Sequence, residues 1–78
     1  MPTKAFVLVE TAIGKTNDVL VAMKLIPGVM TADAVTGPYD LIITVEGTDH
    51  NAIGILVTNK VHSIPGIVRT MTCFAVRL

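Results

Sequence analysis

The sequence is poor in the groups from which most chemistry is built. Its single cysteine, Cys73, has no partner for an internal disulfide. The two histidines, His50 and His62, have no second histidine or cysteine at a metal-ligand spacing, so no structural zinc pattern is present and no metal is expected. Serine occurs once, at Ser63, outside any Gly-x-Ser-x-Gly setting. The acidic residues Glu10, Asp18, Asp33, Asp40, Glu46 and Asp49 are scattered without an adjacent pair that would suggest an acid–base couple. The glycines punctuate predicted elements and form no phosphate-cradling loop. Neither catalytic residues nor a cofactor follow from such a set, and both histidines read as solvated helix residues.

Charge of one sign is missing as well. Six basic residues balance six acidic ones, and no run of Lys or Arg is long enough to neutralise several phosphates, so direct nucleic-acid binding is not expected. There is no secretion signal and no apolar run of about 18 residues that could span a membrane, which predicts a cytoplasmic protein. Met1 reads as a native start, and residues 1–78 read as one complete domain. What is abundant is apolar side chain: 51% of residues are hydrophobic and 15% charged, with a mean hydropathy of +0.68. A chain of 78 residues has too small an interior to hide that much. Part of its surface is therefore predicted to be an interface with another copy.

Residues 4–10, KAFVLVE, are β-prone and apolar on both alternating sets, as in a strand covered on both sides. Between Thr16 and Ile26, Val19, Ala22, Met23 and Ile26 fall at i, i+3, i+4 and i+7, an amphipathic helix ended by Pro27-Gly28. A second strand is predicted over 29–36, turned by Gly37-Pro38 into a third over 40–46. Thr48 or Asp49 can cap a second helix whose stripe is Ile53, Leu56, Val57, Val61 and Ile64. Pro65-Gly66 ends it, and residues 67–78 read as a long last strand. Ile26-Pro27-Gly28-Val29 returns as Ile64-Pro65-Gly66-Ile67, each time joining a helix to a strand. The order βαββαβ in two similar halves predicts an α+β, ferredoxin-like sandwich with both helices on one face of a four-stranded antiparallel sheet. The other face is expected to carry Val7, Val9, Ile42, Thr44, Cys73 and Ala75 or their neighbours. Leaving such side chains in water forgoes about 1.5–3 kcal/mol each. Pairing of two sheet faces, giving a dimeric α/β barrel, is the simplest remedy, with Cys73 a packing residue between Met71 and Ala75.

The segment VTGPYD, residues 35–40, holds the only tyrosine beside a carboxylate. A turn needs Gly37 and Pro38 but not Tyr39 or Asp40. In the bland reading Tyr39 packs on the sheet edge and Asp40 bonds a turn amide. In the functional one they wall a pocket for a small zwitterion, Asp40 near the ammonium and Tyr39 giving apolar contact. Thr70 and Thr72, flanking Met71, are either hydroxyl donors to that pocket or simply β-branched strand formers.

The element order, the two Ile-Pro-Gly joints, Gly37-Pro38-Tyr39-Asp40 and Thr70-Met71-Thr72 together resemble the regulation-of-amino-acid-metabolism domain. This is the effector-binding domain of the Lrp/AsnC (leucine-responsive) regulators of bacteria and archaea. The resemblance covers nearly the whole chain. It implies a sandwich that dimerises through its sheets and assembles into tetramers, octamers or rings, with an amino-acid effector between dimers. Matched by position, effector-binding residues would be Gly37, Tyr39, Asp40, Thr70, Met71 and Thr72. Full-length members also carry a helix-turn-helix domain, whereas the first strand here begins within a few residues of Met1, so the chain resembles the stand-alone sensing form. It is expected to serve transcriptional regulation through oligomerisation without binding DNA itself. Two other readings stay open: a ligand-free adaptor in mixed oligomers with a full-length regulator, and a small enzyme on a dimeric α/β barrel. ACT domains share the element order but not the Gly-x-Tyr-Asp turn.

Overall fold

The computed structural model describes residues 2–78. Its first strand, β1 (Thr3–Thr11), pairs on both sides, and its alternation decides what the sheet buries. Ala5, Val7 and Val9 are fully buried, opposite Val45, Ile43 and Leu41 of β3 (Leu41–Gly47). These six residues form one core with Val19 and Met23 of α1 (Thr16–Lys24) and with Ile53 of α2 (His50–Leu56). The remaining strands are β2 (Val29–Ala34) and β4 (Ile67–Phe74), and the sheet order is β2-β3-β1-β4, antiparallel throughout. This is the predicted ferredoxin-like βαββαβ sandwich.

The helix boundaries follow local chemistry. Both Pro-Gly joints place the glycine at φ +99°, a conformation that only glycine adopts without strain, and in the first the Val29 amide donates to the Ile26 carbonyl at 3.1 Å. Asp49, one of the two expected caps, accepts the Ala52 amide at 2.8 Å. After Leu56 the helix widens into a π turn, Val57–Val61, closed by the His62 amide on the Val57 carbonyl at 2.9 Å. The stripe explains the widening. Ile53, Val57 and Val61 are spaced by four, and an α-helix rotates such a series by about 40° at every step. The wider turn slows that drift and keeps all three buried.

The open sheet face differs from expectation in its membership. Val7 and Val9 do not meet water: they pair with Ile43 and Leu41, and cross-strand partners share a face. Their neighbours Phe6 and Leu8 face outward instead, opposite Thr44 and Ile42 on one side and Cys73 and Met71 on the other. Ile42, Thr44 and Cys73 therefore lie on the open face as expected, and Cys73 is exposed in the single chain. Ala75 falls outside the last strand, which ends at Phe74 and not at residue 78. Its only neighbour β1 begins at Thr3, and the Ala75 amide on the Lys4 carbonyl, 2.9 Å, is the last rung.

Candidate functional site

At one end of the sheet β1 finishes, β3 starts and β4 starts, and the turn at residues 35–40 folds over that end. Gly37 takes φ +125°, a left-handed conformation that glycine adopts without strain. Asp40 then fastens the turn to β1. Its carboxylate Oδ2 accepts the Thr11 amide at 2.8 Å, its own amide donates to the Val9 carbonyl at 2.9 Å, and its carbonyl accepts the Val35 amide at 2.9 Å. Thr11 is buried, its hydroxyl 2.7 Å from that of Thr16, and β1 changes register between Glu10 and Thr11. The Asp40 carboxylate thus caps β1 just past the end of its pairing with β3, which stops at Val9 and Leu41.

Tyr39 lies half-buried beside this cap. Its hydroxyl points at the Met71 sulfur, 3.9 Å away, a weak donor–acceptor contact that sets the ring against the thioether. Over the ring, 5.5 Å from its centre, sits the Arg69 guanidinium, within cation–π range. Arg69 Nη2 is 3.2 Å from Glu10 Oε1, and the two residues face each other across the β1–β4 ladder on the open face. The end of the open face therefore carries a carboxylate, a cation, an aromatic ring and a thioether, each in contact with the next.

Thr70 and Thr72 lie on the other face of the sheet, since they pair with Val9 and Val7. Thr70 Oγ1 is 2.8 Å from Nε2 of His62, which the π turn carries to β4. Both threonines still reach the outside through the main chain. The Ala75–Lys4 rung fixes which β4 residues bond β1, and by alternation the amides and carbonyls of Thr70 and Thr72 point out from the sheet edge. Of the six sequence-selected residues, the structure brings Gly37, Tyr39, Asp40 and Met71 to one end of the open face. Thr70 and Thr72 adjoin them only along the edge of β4.

Glu10, Arg69, Thr11 and His62 were not among the selected residues. Opposite charges at the end of the first strand and the start of the last were visible, but only the register places them face to face. Both histidines are exposed as expected, though neither is isolated: His50 packs its ring 4.3 Å from that of Phe74. Among the described residues no three His, Cys, Asp or Glu side chains cluster as metal ligands, and no helix is long and apolar enough to cross a membrane.

The fold and this cluster define a class: small ferredoxin-like domains with one sheet face uncovered and polar groups gathered at its rim. The family model for the Lrp/AsnC ligand binding domain matches residues 4–78, and the chain belongs to that family. Among solved structures, FFRP-DM1 is 35% identical with a TM-score of 0.89, over 95% of this chain and 99% of that one. TTHA0845 of Thermus thermophilus is 33% identical with a TM-score of 0.91, over 97% and 95% of the two chains. The transcriptional regulator NMB0573 of Neisseria meningitidis, solved as a complex with L-Met, is 22% identical with a TM-score of 0.86 over 96% of this chain. That match spans 50% of the regulator and shows the shared fold alone. Comparison with curated proteins gives no match.

Proposed function

We propose that this chain is an amino-acid-binding domain that acts as an oligomer built through its open sheet face. It takes part in transcriptional regulation through assembly and makes no DNA contact of its own. The observation that carries this reading is the contact of Tyr39, from the Gly37-Pro38-Tyr39-Asp40 turn, with Met71 at the rim of an uncovered apolar sheet face. Tyr39 and Met71 supply the apolar wall for an effector side chain. The outward amides and carbonyls of Thr70 and Thr72 supply donors and acceptors for its polar end, with the hydroxyls behind them. Family membership supports a ligand, and the L-Met held by the Neisseria relative supports an amino acid.

Because the cluster lies at a sheet edge, a neighbouring dimer can complete its outer wall. An effector placed there binds one assembly state better than another, which is the condition for shifting the balance between them. The test is a thermal-unfolding screen against the twenty common L-amino acids, with mass measured in solution with and without each one that shifts. Ligand at about 100 times its dissociation constant adds about 2.7 kcal/mol to the folded state. A rise of several degrees with one chemical class supports the reading. If none of the twenty shifts the transition while the protein still oligomerises, amino-acid sensing is refuted and an assembly adaptor takes its place.

A further inference from the structure

Helix α1 carries two apolar stripes, and the core uses only one of them. Val19 and Met23 are fully buried, whereas Val21 and Leu25, four residues apart on the outer side, are 53% and 78% exposed. Beside the end of the helix, Met30 lines a cleft of about 390 Å³ with Lys24 and is itself 57% exposed. Asp33 lines that cleft too, outside ion-pair distance of Lys24. This apolar surface lies across the core from the open sheet face, so pairing of two sheet faces leaves it bare. Asp18 in the first turn and Lys24 in the last are both exposed, and neither has an ion-pair partner among the described residues. Three residues on either side of Val21, they flank it at about 60° to left and right on the helix surface.

Resting on the face-paired oligomer above but not on its amino-acid ligand, we infer that the outer side of α1 is a second self-association surface. There α1 packs antiparallel against α1 of a second copy and joins face-paired dimers into larger closed assemblies. The charges select this occupant. A two-fold axis at Val21 sets that residue against its own copy and brings Asp18 of each helix level with Lys24 of the other, so both ion pairs form at once. An unrelated partner would not require acid and base to be disposed symmetrically about the apolar centre. The contact is small: three apolar side chains cover far less than the roughly 1,200 Å² of a stable interface, so two lone chains do not hold together through it. A face-paired dimer presents the surface twice, and closing the second contact within one assembly is intramolecular. Asp18 and Lys24 also suit the dipole of their own helix, a role that needs no second copy.

The test measures the mass of the full chain in solution by light scattering over a range of concentrations. It compares wild type, Val21→Glu, Asp18→Lys, Lys24→Asp and an equimolar mixture of the last two, with circular dichroism confirming that each folds. Wild type should reach at least four chains. Val21→Glu sets two carboxylates face to face at the two-fold and should stop at two chains. Each charge variant alone should also stop at two, because Asp18→Lys opposes cation to cation and Lys24→Asp opposes acid to acid. Their mixture restores opposite charges at both contacts and should regain the wild-type mass, which a role in the helix dipole alone does not produce. A Val21→Glu mass equal to wild type, a wild type that never exceeds two chains, or a mixture that stays at two overturns the helix contact. If Leu8→Lys keeps the wild-type mass while Val21→Glu loses it, face pairing fails and the helix contact stands.

Discussion

Replacing Asp40 by alanine should destabilise the domain in the absence of any ligand. In the folded chain the Asp40 carboxylate accepts the amide of Thr11, a residue only 8% exposed, at the point where β1 changes register. No strand partner is in place to accept that amide once the carboxylate is gone. A donor stranded in this way costs about 1–3 kcal/mol. For a domain of this size the melting temperature moves by about 4–8 °C per kcal/mol, so Asp40→Ala should melt at least about 4 °C below wild type. Asp40→Asn retains a carbonyl acceptor but loses the charge, and a charge-assisted bond is about twice as strong as a neutral one. It should therefore fall between the two. The assay is thermal unfolding followed by circular dichroism, with all three proteins at matched concentrations, because an assembling protein's transition depends on concentration. An Asp40→Ala transition indistinguishable from wild type, or an Asn variant less stable than the Ala one, would refute the cap. Loss of ligand binding in Asp40→Ala, taken alone, consequently says nothing about direct contact.

Other positions give equally definite expectations. Leu8 stands at the centre of the open face, between Ile42 and Met71, so Leu8→Lys should convert the oligomer to a monomer by light scattering; an unchanged mass would remove that face from the assembly. Gly66→Ala puts a Cβ 2.9 Å from that of Lys15 at a φ of +99°, and should cost about 1–3 kcal/mol in denaturant unfolding. Gly54→Ala goes the other way: it lies inside α2 with nothing within 4 Å of the new Cβ, and should gain about 0.5–1 kcal/mol. Asp49→Ala removes the α2 cap and should lose about 1 kcal/mol by the same measurement.

The element order was legible because it rests on local signals: the 3.6-residue stripes of both helices, the paired Ile-Pro-Gly joints, and the cap at Asp49. Parity was not. In β1 both alternating sets are apolar, Phe6 and Leu8 as much as Val7 and Val9, so composition alone does not say which set faces the helices. Pairing settles it, since Val7 must share a face with whichever β3 residue lies opposite. The candidate site divides in the same way. Gly37 and Asp40 were readable from turn chemistry, because a reversal needs the one and a loose amide welcomes the other. Arg69 and Glu10 are far apart in sequence and meet only through the β1–β4 register. Thr70 and Thr72 were readable as a pair on one face, but which face depended on that same register. The π turn shows the limit from another side: its cause, three buried residues spaced by four, is visible in the sequence, yet its effect is to bring His62 to Thr70.

Met71 joins the rim cluster to the assembly surface, and this makes the proposed coupling testable in one variant. Its sulfur meets the Tyr39 hydroxyl, while its backbone pairs with Leu8 at the centre of the face expected to be covered; in the single chain it is 50% exposed. An effector that rests on Tyr39 and Met71 therefore touches a side chain whose surroundings change on assembly. Such a ligand can shift the equilibrium only by the ratio of its affinities for the two states, and equal affinity shifts nothing. The monomeric Leu8→Lys variant measures that ratio, since it leaves Glu10, Arg69, Tyr39 and Asp40 in place. If the site is completed between subunits, this monomer should bind the effector at least about tenfold more weakly than the oligomer, a coupling of about 1.4 kcal/mol. Reciprocity then demands that the effector strengthen wild-type assembly by the same factor, which sedimentation with and without ligand would read independently. Equal affinity in monomer and oligomer would mean that the site is complete within one chain, and that whatever the ligand regulates, it does not do so through this interface.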